Sequence, residues 1–294
     1  MAFNLQTFRT RAVTALIIVV IMLAGLLWNH WSFFILFSVI HFGAWWEYLK
    51  LAEKIHQTII HPYSKLGFML IGYGLMLWFC DPVLQLNNYS LSDNFSIPVS
   101  GAGFSLLVIG IFQRQNVHIK SFGMAAMGWL YISLSWGLIM DLYGFETLRI
   151  LSPLVTKIEL LYLPLFTIIC MWINDTMAYL VGSMIGKTPF SKISPKKTWE
   201  GTLGGIILAG FIVGWLGYFF DDRPVFGHSL GWWIFLAMSA AIAGTLGDLL
   251  KSKFKRMAGV KDSGSIMPGH GGFLDRFDSL LIATPVVWLI VHGS

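Results

Sequence analysis

The 294-residue chain is 56% hydrophobic and 12% charged, with 13 Trp, 23 Phe and a mean hydropathy of +0.69. A soluble domain carries roughly 25% charged residues, so this balance excludes a soluble enzyme and gives an integral membrane protein. The net charge of +5 does not call for nucleic acid as a partner, because in a membrane protein the placement of Lys and Arg along the chain carries the information.

Length alone would suggest about two soluble domains, but apolar runs recur throughout and leave no soluble segment long enough for a core. The expected architecture is all-α: one polytopic helical bundle over 1–294. Cys80 sits at a span end and Cys170 inside a span, so both read as small buried hydrophobes and not as a disulfide.

In chain order, Arg9 and Arg11 precede an apolar run over 12–28 that reads as a retained first span, with Trp28 and Trp31 as an interfacial belt. Further runs follow at about 31–49, 66–80, 99–113, 121–140, 158–182, 202–220, 231–250 and 277–292, which makes about nine spans, some near the lower length limit for crossing a bilayer. With the N-terminus cytoplasmic, 17 of the 20 basic residues fall in cytoplasmic segments, all but Arg149, Lys157 and Arg223. The positive-inside rule therefore favours N-terminus in and C-terminus out. The segment from Asp81 to Pro98, with N-x-Ser triplets at Asn88 and Asn94, reads as a polar exterior loop. His30, His41, His56, His61, His118, His228 and His292 read as interfacial residues near span ends.

Two segments stand apart. In the first, Asn174 and Asp175 interrupt an apolar run, with Tyr179 one turn beyond Asp175 on the same face. Such a pair faces a wet cavity or makes an interhelical hydrogen bond, since exposure to lipid would cost several kcal/mol. After it, Ser194-Pro195 breaks the helix and Lys196, Lys197, Thr198 and Glu200 follow in a basic loop. On their own these lysines are either topology signals that bind anionic lipid or part of a substrate site.

The second segment, Lys251 to Ser279, packs six basic residues, three carboxylates and a histidine between two spans. The preceding helix, taken over 231–256, would be about 39 Å long against a hydrocarbon core of about 30 Å, so its end projects into the cytoplasm. Asp248 falls about 26 Å along it, near the boundary, and Ser252 and Lys255 continue its face at i+4 and i+7. Gly-rich chain turns back to a last span, where Asp275 and Asp278 lie at i and i+3 with Arg276 between them. An early-turn Asp is an ordinary helix-start signal, but that does not explain Asp248 and Asp275 being brought to one depth by adjacent spans.

Carboxylates ringed by Lys and Arg suit a hard divalent cation carrying a phosphate-rich substrate, a task in which positioning and charge neutralisation do most of the chemistry. Zinc is disfavoured, since His270 is the one histidine in this segment and no cysteine is near. His270 reads as a turn residue bonding backbone or phosphate, not as a general base.

The run Ser252-x-Phe254-Lys255-Arg256, then Lys261-Asp262-x-Gly264, then Pro268-x-His270-Gly271-Gly272-Phe273-x-Asp275-Arg276-Phe277-Asp278 resembles the signature of the phosphatidate cytidylyltransferases. Ser194-Pro195-Lys196-Lys197-Thr198-Trp199-Glu200-Gly201 and Asp175-Thr176-x-Ala178-Tyr179 are similar to other blocks of that family, so the likeness covers about 172–279. It implies that CTP and phosphatidic acid give CDP-diacylglycerol and pyrophosphate, for phospholipid biosynthesis. It also implies a requirement for Mg²⁺, with a second cation such as K⁺, and a homodimer in the membrane, the inner cell membrane in a bacterium, with the site facing the cytoplasm. On this reading 1–157 is mainly scaffold and 158–294 carries the catalytic spans. Asp248, Asp275 and Asp278 would be metal ligands. Asp248, Asp275, Lys255, Arg256 and Arg276 would be catalytic. Asn174, Asp175, Ser194, Lys196, Lys197, Glu200, Ser252, Lys261, Asp262, His270, Gly271 and Gly272 would line the substrate. The competing readings are a CTP-dependent kinase of a lipid alcohol and a non-enzymatic lipid or anion carrier.

Overall fold

A computed structural model of the chain describes residues 17, 19–80, 84–86, 89–113, 118–149, 157–221, 227–264 and 271–294. Arg9, Arg11, Asn88, Arg114, Arg223, Pro268 and His270 lie outside them, as does the start of the expected first span, residues 12–16 and 18. The described helices are α1 (His30–His56), α2 (Pro62–Trp78), α3 (Ser96–Phe112), α4 (Ile119–Gly128), α5 (Ser135–Arg149), α6 (Lys157–Ile185), α7 (Trp199–Phe220), α8 (Leu230–Met257) and α9 (Leu274–His292). Helical chain at 19–27 precedes α1. A wide π-helical turn, Trp129–Leu134, joins α4 to α5.

Six stretches among the described residues are long and apolar enough to cross a membrane: His30–His56, Leu91–Phe112, Ile119–Tyr143, Leu161–Ile185, Trp199–Phe220 and Leu230–Met257. The protein is therefore of the all-helical membrane type. Helix α2 has 17 residues, about 25 Å at the helical rise, and α9 opens with Asp275, Arg276 and Asp278 inside its 19 residues, so neither qualifies on length and composition.

The chain divides into two compact units, Met1–Met140 with Phe254–Phe277, and Asp141–Lys253 with Asp278–Ser294. In the first unit, α1 begins at a capping box, Asn29 accepting from Ser32 N at 2.7 Å while Ser32 Oγ accepts from Asn29 N at 2.9 Å. Its inner face buries Phe33, Phe37, Ile40, His41, Ala44, Trp45 and Tyr48. Helices α2 and α3 meet backbone to backbone, because a Cβ at Gly67 or at Gly103 would lie 2.7 Å from main-chain atoms of the other helix; small residues permit this approach where lipid gives no hydrophobic drive.

Two expectations change in this unit. The segment read as a polar loop contains a short hairpin, β1 (Gln85–Leu86) paired with β2 (Tyr89–Ser90), and a π-helical turn over Leu91–Phe95 whose start is capped by Ser90 Oγ accepting from Asp93 N at 3.0 Å. His41, read as interfacial, is fully buried, 3.0 Å from Ser133 Oγ, a hydroxyl that also accepts from Trp45 Nε1 at 2.8 Å.

In the second unit α8 is central. Helix α7 packs on it at Gly210 against Met238 and at Gly214 against Ile234, α6 at Met171 against Gly244, and α9 at Asp278 and Ser279 against Gly247. Both cysteines are buried, as expected, Cys170 Sγ donating to Ala237 O at 3.3 Å. Helix α8 has 28 residues, about 42 Å, and the end expected to project beyond the hydrocarbon closes in the first unit on Gly259 at φ +67°, with Val260 N donating to Lys255 O at 2.9 Å.

Candidate active site

In the second unit the site grows from the close approach of α8 and α9, where a Cβ at Gly247 would collide with the Asp278 carbonyl. One turn on from Gly247, Lys251 is buried and its Nζ lies 3.1 Å from Asp248 Oδ1 and 2.5 Å from Asp278 Oδ2. A buried ammonium left alone would cost several kcal/mol, and these carboxylates offset that cost. Lys197, from the loop before α7, puts its Nζ 2.5 Å from Asp248 Oδ2. Asp175 on α6 is exposed and within electrostatic reach of Lys197, Asp248 and Lys251. Beside it Asn174 is buried, its Nδ2 3.5 Å from Thr245 Oγ1 on α8. The interhelical bond foreseen for Asn174 is thus present but long, and its Oδ1 is buried without a hydrogen-bond partner among the described residues.

The loop that delivers Lys197 is held by Glu200, whose carboxylate accepts from Lys187 N and Thr188 N at 3.2 Å and from Thr188 Oγ1 at 2.8 Å. Phe190 N donates to Lys197 O at 2.8 Å, Trp199 N to Thr188 O at 2.9 Å, and Lys197 N to Ser194 O at 3.1 Å. Thr198 caps α7 through Gly201 N at 3.2 Å. Glu200 and Ser194 therefore shape the loop, Lys197 points from it to Asp248, and Lys196 is exposed.

In the first unit Asp275, in the first turn of α9, is engaged on both oxygens. Lys255 Nζ donates to Oδ1 at 2.8 Å; Ser263 N at 2.8 Å and Gly272 N at 3.3 Å donate to Oδ2, with Ser263 Oγ 2.9 Å from the same atom. Ser263 Oγ also lies 2.8 Å from Glu47 Oε2 of α1, and Glu47 accepts from Phe273 N and Leu274 N, both at 3.0 Å. Gly271 takes φ +84°, and Gly272 is buried where a Cβ would strike the Glu47 carboxylate. Arg256, Lys261, Asp262 and Arg276 are exposed, and Ser252 is half-buried.

The structure thus brings Asp248, Asp278, Lys197 and Asp175 together around Lys251, and brings Asp275, Lys255 and Gly272 together around Ser263. Lys251, Ser263 and Glu47 were not among the residues singled out from sequence. Lys251 lay in the basic segment but outside the motif, and Ser263 is an unremarked motif position. Glu47 did carry a signal: an ionisable residue inside an apolar span, between Trp46 and Tyr48, is by default a functional candidate.

Among the described residues no three His, Cys, Asp or Glu side chains converge as a ready metal centre. In kind, Asp248 and Asp278 fit Mg²⁺: they are two hard oxygen donors held side by side by Lys251, with Asp175 within electrostatic reach. Mg²⁺ characteristically takes one or two carboxylates and completes its shell with water and substrate phosphate.

The model of the cytidylyltransferase family matches residues 9–293. The phosphatidate cytidylyltransferase of Staphylococcus haemolyticus is 32% identical over 263 residues, 82% of this chain and 97% of that protein. That of Staphylococcus saprophyticus is 29% identical over 287 residues, covering 96% and 98% of the two chains. The Haemophilus influenzae phosphatidate cytidylyltransferase is 37% identical over 159 residues, half of this chain and 55% of its own.

Proposed function

The chain belongs to the cytidylyltransferase family, and on that premise we propose that it is a membrane-embedded CTP-dependent nucleotidyltransferase that converts CTP and phosphatidic acid to CDP-diacylglycerol and pyrophosphate. The observation that carries this reading is the likeness to phosphatidate cytidylyltransferases along nearly their whole length. The cluster around Lys251 supports it, since it holds the charges such a reaction needs within a helical unit of the membrane type.

In the reaction a phosphatidate oxygen attacks the α-phosphorus of CTP, the new P–O bond forms, and the bond to the β-phosphate oxygen breaks to release pyrophosphate. The attacking oxygen is already anionic at neutral pH, so the site needs no general base. Lys197, half-exposed at the end of its loop, is the cation placed to meet the incoming triphosphate, and Glu200 fixes the loop that presents it. Lys251 holds Asp248 and Asp278 together. Those two carboxylates would hold Mg²⁺, which when bound neutralises charge on the triphosphate and the leaving pyrophosphate. Asn174 and Ser252 supply hydrogen-bonding groups, and Lys196, Arg256, Lys261 and Arg276 supply exposed positive charge for phosphate or headgroup. In this reading Asp275 would be a further metal ligand, with K⁺ as a second cation.

The same reading carries about nine spans with the N-terminus cytoplasmic and the C-terminus outside, supported by the 17 of 20 basic residues on one side. It carries a site facing the cytoplasm of the inner membrane and a homodimer. The test is pyrophosphate release from CTP and Mg²⁺ with phosphatidate or diacylglycerol as acceptor. Release is expected with phosphatidate alone, and label from α-phosphate-labelled CTP is expected in the lipid product. Lipid label arriving from the γ-phosphate would replace this reading by a lipid-alcohol kinase, and no turnover with either acceptor would leave a carrier.

A further inference from the structure

We infer that Glu47, in the N-terminal part of the chain otherwise assigned to scaffold, is a positioning residue for the reaction, acting through Ser263 on Asp275 and through two backbone amides on the start of α9; the inference rests on the reading that Asp275 serves nucleotidyl transfer.

The first premise is where Glu47 sits. It is 1% exposed on α1, on the same helical face as Phe37, Ala44 and Tyr48. A carboxylate in such surroundings costs several kcal/mol unless its oxygens are bonded. A residue whose only task was to fill space between α1 and its neighbours would be apolar.

The second premise is what its oxygens do. Oε1 accepts from Phe273 N and Oε2 from Leu274 N, each at 3.0 Å. These amides open α9, where the first N–H groups have no partner within the helix and the helix dipole favours negative charge. Helix α9 is thus capped by a carboxylate more than 220 residues earlier in the chain. The fit leaves no slack, for a Cβ at either Gly264 or Gly272 would overlap the Glu47 carboxylate.

The third premise is the link to Asp275. Ser263 Oγ stands 2.8 Å from Glu47 Oε2 and 2.9 Å from Asp275 Oδ2. A hydroxyl has one proton to give, so at these distances it is shared between the two carboxylates, and the place of Ser263 between them is set by both. Ser263 N holds the same Asp275 oxygen at 2.8 Å and Lys255 holds the opposite one at 2.8 Å. Asp275 is therefore fixed by a chain of contacts whose far anchor is Glu47. Loss of such outer partners typically costs about 10–100-fold in affinity or activity.

The experiment uses the full-length protein in detergent or nanodisc, as Glu47→Gln, Ser263→Ala and the double variant. Steady-state pyrophosphate release and amide exchange across residues 271–277 are measured in each. Glu47→Gln keeps the size but replaces one acceptor by a donor. The expected result is a fall in kcat of about tenfold or more, KM for CTP within about twofold, and faster exchange confined to the first turn of α9. Because the two residues act in series, the double variant is expected to lose little more than the worse single one. Wild-type kcat in Glu47→Gln, losses that multiply in the double variant, or a raised KM with kcat intact would each overturn the inference. Where Glu47→Gln does not yield folded protein, Ser263→Ala decides: kcat should fall about tenfold or more with KM for CTP within about twofold, while exchange in the first turn of α9 stays as in the wild type because the bonds from Glu47 to the amides remain in place, and wild-type kcat would overturn the inference. A wild-type protein that releases no pyrophosphate sinks the functional reading, while the exchange measurement still reports on the Glu47 link.

Discussion

The two carboxylate–lysine clusters are built from the same residue types and are held in different ways. Around Lys251 the ion pairs seen among the described residues run side chain to side chain, and Lys197 and Asp248 retain 29% and 20% exposure. Around Asp275 the carboxylates are pinned by main-chain N–H groups of Ser263, Gly272, Phe273 and Leu274 as well as by Lys255. A lysine can leave a carboxylate for a phosphate by rotating its side chain, whereas a backbone amide cannot leave without unwinding the chain. The first cluster is therefore suited to exchange partners during a turnover and the second to hold geometry through it.

The sharpest way to break this contrast is to remove one carboxylate from each cluster. Asp248→Asn should reduce pyrophosphate release by about 10³-fold or more, as expected when a carboxylate that would hold the metal at the reacting phosphates is lost, while the protein stays folded because Asp278 still pairs with the buried Lys251. Asp275→Asn should leave less than a few per cent of turnover in a folded, inserted protein. Retention of more than that would remove Asp275 from the metal site and leave it as framework alone. Next in size, Lys197→Ala should cost about 10²-fold in kcat/KM for CTP with unchanged thermal stability, because its ammonium is half-exposed on a loop whose fold Glu200 maintains. A variant that keeps its activity and melts early would reverse the assignment of the two clusters.

Glu200→Gln probes how far the loop matters. The amide retains one good acceptor for the Thr188 and Lys187 groups and loses the charge assistance, a change of about 1 kcal/mol, so kcat/KM should fall about fivefold. An effect as large as that of Lys197→Ala would mean that Glu200 touches substrate as the sequence motif suggested, and not only the loop.

Much of the Lys251 cluster was legible because charges inside an apolar chain are conspicuous: Asp248, Lys197 and Asp175 were picked out for that reason, and the length of α8 placed Asp248 near a membrane boundary. What stayed hidden was partnership. The motif suggested Asp248, Asp275 and Asp278 as a metal set; that Lys251 joins Asp248 to Asp278 is set by the Gly247 contact between α8 and α9, which no spacing rule reveals. Glu47 was passed over because its partner Ser263 lies 216 residues away and the dense C-terminal motif drew the functional reading there. His41 went astray for the same reason, its hydroxyl partner being 92 residues distant. The hairpin at Gln85–Ser90 has two-residue strands, too short for alternation to register.

The smallest expected effect guards the whole comparison against the view that any lysine–carboxylate pair in this protein matters. Lys65 Nζ lies 2.8 Å from Glu53 Oε2 and 5.9 Å from the Trp46 ring centroid. Its distances thus match those at the clusters, and Glu53 even holds a backbone amide, Ile60 N, at 2.7 Å. It differs in serving only the turn between α1 and α2. Partly exposed pairs of this kind contribute about 0–1 kcal/mol, and Glu53 keeps its bond to Ile60 when the lysine is gone. Lys65→Ala should therefore change kcat/KM by less than about twofold and lower the unfolding temperature by only a few degrees. A loss of activity comparable with Lys197→Ala would show that positive charge on this surface acts collectively, and that the local geometry around Lys251 is not what selects the catalytic cations.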